Sequence, residues 1–234
     1  MAELLEPYCS GTAGDFTPFK MAFSMIVGGP TSCGKTHFVK DLLCYLRQVE
    51  RQFLHVTMFY GTDQRLFDEM GLDEKYQGLN EFVSVVDRLQ QLDTWHKGQP
   101  KPRTRVQNVI IVDDLMNEVT KRPEVADVIT RGISHQGLTI ILIYQNLLPQ
   151  QKYARTIGMN IHYRVQFYNY QTAGQFKAVV QQMESGKKTL LDMYRELGKE
   201  EEGERRCPLV IDCLRHLAWY GLEPECVVDL HDKP

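Results

Sequence analysis

Gly29-Pro30-Thr31-Ser32-Cys33-Gly34-Lys35-Thr36 sets four residues between two glycines and follows the second with a lysine and a hydroxyl residue. That spacing, G-x-x-x-x-G-K-[ST], suits a chain that must wrap its backbone N–H groups around phosphates. The glycines allow the turn, and a helix beginning near Lys35 adds its positive end. Lys35 can then reach the β- and γ-phosphates, while Thr36 can ligate Mg²⁺. All eight residues are therefore predicted to bind a nucleotide. The flanks agree, since apolar "MAFSMIV" predicts a strand before the loop and "HFVKDLLCYL" predicts a helix after it. Cys33 sits where a helix N-terminus can lower a thiol pKa. Regulation through it stands beside the plainer reading, that this loop position tolerates many residues.

A phosphate site that hydrolyses its ligand also needs an acid for the metal and a group to handle water. The run "VIIVDD" supplies both at the end of an apolar strand. Asp113 is predicted to hold Mg²⁺, directly or through water, and Asp114 to orient or deprotonate the attacking water. The alternative for the pair is a buried strand followed by two turn-initiating aspartates. A later apolar strand ends in "YQN", which makes Gln145 a candidate sensor of the γ-phosphate, or else a strand-terminal turn residue. His135, just before that strand, is either a relay or a satisfied structural histidine. An arginine from a neighbouring subunit can raise phosphoryl-transfer rates by about 10³–10⁵. Arg155, in the loop after the Gln145 strand, is the first candidate for that role and Arg131 the second. Arg164 is also a candidate, with the alternative that it alternates within a strand and simply faces solvent.

Strands are predicted near 22–28, 53–60, 108–112, 138–144 and 161–167, with a short sixth at 208–213. Helical patterns fall near 35–50, 80–92, 122–133 and 172–184. This alternation predicts a three-layer α/β fold, a mostly parallel sheet with helices on both faces. The strand at 53–60 lies between the two motifs, and roughly eighty residues separate Thr36 from Asp113. That spacing suits ATPases in which an additional strand separates the phosphate-loop strand from the metal strand. The second acid agrees, because a kinase transferring phosphate to a hydroxyl needs no water-activating carboxylate.

With 234 residues, 43% of them hydrophobic, the chain can bury one large α/β core. Residues 1–20 are expected to be an arm and 21–234 one domain, with its core at about 21–185 and a C-terminal extension at about 186–234. There is no apolar run near the roughly 20 residues of a membrane helix and no basic-then-apolar leader, so the chain is expected to be unsecreted and to have no membrane partner. Cys9, Cys33, Cys44, Cys207, Cys213 and Cys226 lack C-x-x-C pairing, which argues for free thiols rather than zinc or a disulfide framework. Net charge is −3, so any DNA contact must come from local basic loops or from assembly of several subunits. The basic stretch 94–105, with Pro100 and Pro102 against a regular helix, is a candidate DNA loop or a solvated connection. The charged run "GKEEEGERR" reads as a solvated loop.

Together, "FTPFKMAFSMIVGGPTSCGKTHFVKDLL", "MFYGTDQRLFDEM", "VIIVDDLMNEV" and the block from "ITRGISHQGLTIILIYQN" through "NYQTAGQF" resemble the genome-packaging ATPases of the FtsK/HerA superfamily. The similarity is greatest to the poxvirus-type ATPase of large DNA viruses, virophages and Polinton (Maverick) elements, and it spans residues 16 to about 185. The resemblance implies a RecA-like domain that binds ATP and Mg²⁺, assembles as a homo-oligomeric ring, and drives double-stranded DNA into a capsid. It carries the phosphate-loop role to Lys35 and Thr36, the metal role to Asp113, the catalytic acid to Asp114 and the sensor to Gln145. Capsid or portal-vertex proteins follow as partners, and the host nucleus or virion-assembly site as location. The rival readings are another DNA motor, such as a helicase or partitioning translocase, and a non-hydrolysing ATP-binding assembly scaffold. A small-molecule kinase is a more distant third.

Overall fold

A computed structural model describes residues 9–12, 16–20, 22–48, 53–97, 106–132, 137–199 and 207–231. In chain order these form β1 (Cys9–Thr12), β2 (Ser24–Gly28), α1 (Lys35–Gln48), β3 (Phe53–Tyr60), β4 (Glu74–Gln77), α2 (Phe82–Lys97) and β5 (Val106–Asp113). Next come the short α3 (Met116–Val119) and α4 (Pro123–Asp127), the latter passing into a π-helical turn at Val128–Gly132, then β6 (Leu138–Tyr144), α5 (Ala154–Met159) and β7 (Tyr163–Gln166). The chain continues with α6 (Ala173–Gln181), α7 (Lys187–Glu196), β8 (Leu209–Asp212), β9 (Leu217–Tyr220) and β10 (Cys226–Asp229).

All ten strands join one sheet in the order β1-β10-β9-β8-β7-β2-β6-β5-β3-β4. The six from β7 to β4 run parallel, and the rest are antiparallel. Every residue of β2 and β6 is buried, as central parallel strands covered on both faces must be. Successive side chains enter opposite layers. Met25 and Val27 pack with Val39, Leu42 and Leu46 of α1, whereas Ile26 packs on the other face with Phe82 and Leu89 of α2 and with Val125 of α4. A third cluster joins α6 and α7 to the antiparallel strands through Phe176, Tyr194, Leu209 and Ile211.

The predicted three-layer fold is present, with four corrections. The strand that lies between β2 and β5 in space is β6, not the 53–60 strand, which flanks β5 from the far side. The helix predicted to end near 92 runs to Lys97, so residues 94–97 are helical and not loop; 98–105 lie outside the described residues. Cys33, Cys44, Cys207 and Cys213 are in the thiol form, but Cys226 is disulfide-bonded. Arg164 is not a solvent-facing strand residue: its guanidinium donates to the Gly158 carbonyl at 2.6 Å and lies near enough to the Cys213 thiol to act on its charge, at the end of β8.

The segment before β2 is held by the β8–β9 turn. Arg215 donates to the carbonyl oxygens of Thr17 (3.0 Å) and Pro18 (2.6 Å), lies over the Phe16 ring and pairs with Asp212, which is only 2% exposed. Phe16 and Phe19 pack edge-on against Trp219. Arg215→Ala strands the buried Asp212 carboxylate and is expected to cost about 3 kcal/mol, read as a lower urea midpoint with an unchanged slope.

Candidate functional site

The phosphate loop leaves the carboxyl end of β2 and closes into α1. Gly29 lies at φ 156° and Gly34 at φ 103°, both outside what a side chain accepts. A Cβ at Gly29 would also meet Cys33 Sγ at 2.7 Å and Phe167 Cβ at 2.9 Å. Ser32 holds φ 62° without being glycine, a strained state of the kind that concentrates at binding sites. Lys35 is 8% exposed, and its Nζ donates to the carbonyl oxygens of Gly29 (2.9 Å) and Pro30 (2.6 Å). An ammonium has three donors, so one is left for an anion inside the loop.

Two strands away, Asp113 ends β5 with 5% exposure. Its carboxylate accepts a hydrogen bond from Gln64 Nε2 at 3.1 Å, and the Thr36 hydroxyl and the Asp114 backbone N–H lie near enough to favour its charged form. Burial, then the neighbouring Asp114 charge, push its pKa up to about 6, while Lys35 and the hydrogen bonds pull the other way. A buried carboxylate held against a threonine hydroxyl at the mouth of a phosphate loop fits Mg²⁺, which takes one or two protein oxygens and completes its shell with water and phosphate. Thr36 and Asp113 would hold it.

Asp114 turns outward. Its φ of 58° is left-handed, which reverses the chain after β5 and exposes the carboxylate. Oδ1 accepts from Gln145 Nε2 at 2.8 Å and Oδ2 from the Thr62 hydroxyl at 3.4 Å, so donors on two other strands' loops orient the acid. Gly61 lets this happen: its N–H donates to the Asp113 carbonyl at 3.0 Å, and a Cβ there would lie 2.8 Å from the Asp114 carbonyl oxygen. The loop after β6 is tied to α3 as well, through Gln151 to Asn117 (3.0 Å), Thr120 to Gln151 (3.2 Å) and the Tyr153 N–H to the Thr120 carbonyl (3.0 Å).

The raised pKa has a stability consequence. An aspartate whose folded pKa exceeds its unfolded value of 3.8 binds its proton more tightly when folded, so stability falls as pH rises from about 4 to 6 and stays lower above that. The penalty at pH 7 is on the order of 3 kcal/mol. Asp113→Asn should therefore melt several degrees above wild type at pH 7 without nucleotide, and the gap should close near pH 4 as seen by calorimetry. An equal gap at both values would dismiss the burial argument.

The structure thus gathers Lys35, Thr36, Asp113, Asp114 and Gln145 at one sheet edge. Arg155 does not join them; it is exposed on α5 and makes no hydrogen bond or ion pair among the described residues. Arg131 belongs to the π-helical turn, its side chain outside the described residues, as is His135. Sequence reasoning assigned no role to Gly61, Thr62 and Gln64. The available signal was the turn-forming "GTDQ" directly after the predicted strand "FLHVTMFY", which a parallel strand must deliver to the same edge as the acids.

The sequence matches no protein-family model and no curated protein. Among solved structures it is similar to the genome packaging NTPase B204 from Sulfolobus turreted icosahedral virus 2 in complex with ATP-gammaS, at TM-score 0.52 and 13% identity over 87% of this chain and 97% of that one. B204, the DNA-packaging ATPase from Sulfolobus Turreted Icosahedral Virus, aligns at TM-score 0.53 and 11% identity over 87% and 98%. The cytoplasmic domain of EssC aligns at TM-score 0.50 and 11% identity, over 88% of this chain and 37% of that one. These likenesses are of fold, that of P-loop NTPases.

Proposed function

We propose that the chain is an ATP-hydrolysing motor subunit that moves double-stranded DNA into a capsid, of the FtsK/HerA packaging type and nearest the poxvirus and Polinton branch. The observation that carries the hydrolytic part is the edge order: phosphate loop on β2, Gln145 after β6, and the acid pair at the end of β5. Fold likeness to a genome-packaging NTPase and the motif blocks across 16–185 support the DNA part.

In this reading the loop N–H groups and Lys35 bind the phosphates, and Thr36 and Asp113 hold Mg²⁺. A metal held there would supply charge neutralisation on the phosphates. Asp114 accepts a proton from, or orients, the attacking water, and its bond to Gln145 fixes the direction in which it points. Gln145 also stands where γ-phosphate loss would change its partners, which makes it the sensor. Arg155, exposed and uncommitted, and then Arg131 are the residues to complete a neighbour's site in a homo-oligomeric ring. Capsid or portal-vertex proteins are the proposed docking partners, at the host nucleus or the site of virion assembly.

Gly61→Val would drive a side chain into the Asp114 carbonyl and is expected to lower turnover by about 10² while ATP affinity, measured by calorimetry, stays within a few-fold. The test of the whole reading is steady-state ATP turnover with and without linear duplex DNA. Stimulation by intact duplex without strand separation supports packaging. Unwinding of a forked duplex would favour a helicase, and ATP binding without turnover in either condition would favour a scaffold.

A further inference from the structure

The turn "GTDQ" after β3 reaches the acid pair from the side away from the phosphate loop. Gly61 leads it across the end of β5, and the polar side chains that follow divide the acids between them. The Thr62 hydroxyl donates to Asp114 at 3.4 Å, and Gln64 Nε2 donates to Asp113 Oδ2 at 3.1 Å. Gln64 is exposed, but its backbone is braced from three directions. Asp63 Oδ1 accepts from the Gln64 backbone N–H at 3.1 Å and lies 3.6 Å from Lys75 Nζ of β4. The 3-10 turn Arg65–Glu69 that follows buries Phe67 against Tyr60 and pairs Glu69 with Lys40 of α1.

The type of donor matters as much as its place. A carboxylate that is to hold a cation must keep an oxygen turned toward it, and a hydrogen bond to its other oxygen stops it swinging away. Gln64 engages Oδ2 of Asp113 and leaves the second oxygen for a cation. It does so without charge. An ammonium or guanidinium in its place would offset the Asp113 charge and repel Mg²⁺ at short range, whereas a neutral amide orients the carboxylate and leaves its attraction for the cation intact.

We infer that Gln64 is a positioning residue for Mg²⁺ that acts through Asp113: its amide holds the carboxylate in the orientation that binds the cation, while Thr62 in the same turn serves the other acid. This rests on the assignment of Mg²⁺ to Thr36 and Asp113 in the proposed function, and the experiment separates the two. Calorimetric titration of wild type, Gln64→Met and Thr62→Val uses the non-hydrolysable analogue AMPPCP, once with Mg²⁺ and once with EDTA. The ratio of the two affinities is the contribution of the metal. Wild type should bind more tightly with Mg²⁺. Gln64→Met, similar in length but without a donor, should shrink that gain about tenfold while affinity in EDTA stays within about twofold of wild type. Thr62→Val, which touches Asp114 and not Asp113, should leave the gain unchanged. An undiminished gain in Gln64→Met, an equal loss in Thr62→Val, or a loss in EDTA as large as that in Mg²⁺ would overturn the positioning role. Wild type that binds AMPPCP equally in both conditions would overturn the metal assignment, and wild type that binds it in neither would overturn the ATP reading itself.

Discussion

Lys35→Ala is expected to abolish ATP turnover, by a factor on the order of 10³ or more, because it removes the buried cation to which the proposed function gives the terminal phosphates. The substitution also leaves the Gly29 and Pro30 carbonyls without their donor and takes away the positive charge that partly offsets the Asp113 carboxylate. The expected result is therefore double: loss of ATP binding by calorimetry, and a further rise in the Asp113 pKa that NMR titration would read. Lys35→Met, which keeps the apolar stem packed, separates the two effects. It should bind ATP as poorly as the alanine variant while retaining near wild-type melting. Turnover within tenfold of wild type in both variants would sink the motor reading, since nothing else described in the loop carries a positive side chain.

Asp114→Asn should separate binding from chemistry. Asparagine keeps an oxygen to accept from the Gln145 amide and turns an amide N–H toward the Thr62 hydroxyl, which can accept it, so the geometry of the acid pair is preserved while the proton acceptor is lost. Turnover should fall by about 10²–10⁴, with ATP affinity within a few-fold of wild type, both measured on the same preparation. A variant that binds and hydrolyses as wild type does would show that Asp114 only shapes the turn after β5. Asp113→Asn offers the contrasting pattern: gained stability without nucleotide, but a weakened hold on Mg²⁺ and hence on the nucleotide.

Those contrasts rest on the two aspartates having different surroundings, which their adjacency in "VDD" does not reveal. The parallel core was legible because buried parallel strands are continuous apolar runs, and "SMIVG", "VIIVD" and "LTIILIY" stand out as such. β4, β9 and β10 were not, for they are four residues long and gain their place only by pairing with strands already built. α7, "KKTLLDMYRE", has an apolar stripe that only the third cluster explains. The strand inserted between the phosphate loop and the acids was expected, but its identity was misread, because order along the chain does not give order across a sheet.

By itself the sequence determined the glycine-rich loop and the apolar strands that end at Asp113 and before Gln145, since spacing and apolar runs are local properties that the backbone must obey. Only the tertiary structure decided what those residues face. It brought Gln64 and Thr62 from β3 onto the two acids, turned Asp114 outward through a left-handed backbone, buried Asp113 enough to raise its pKa, and carried β8 and β9 to the far side of the phosphate loop. The physical reason is that parallel and returning strands converge on one edge from distant parts of the chain. Contacts made there depend on sheet order and burial, which no local pattern encodes.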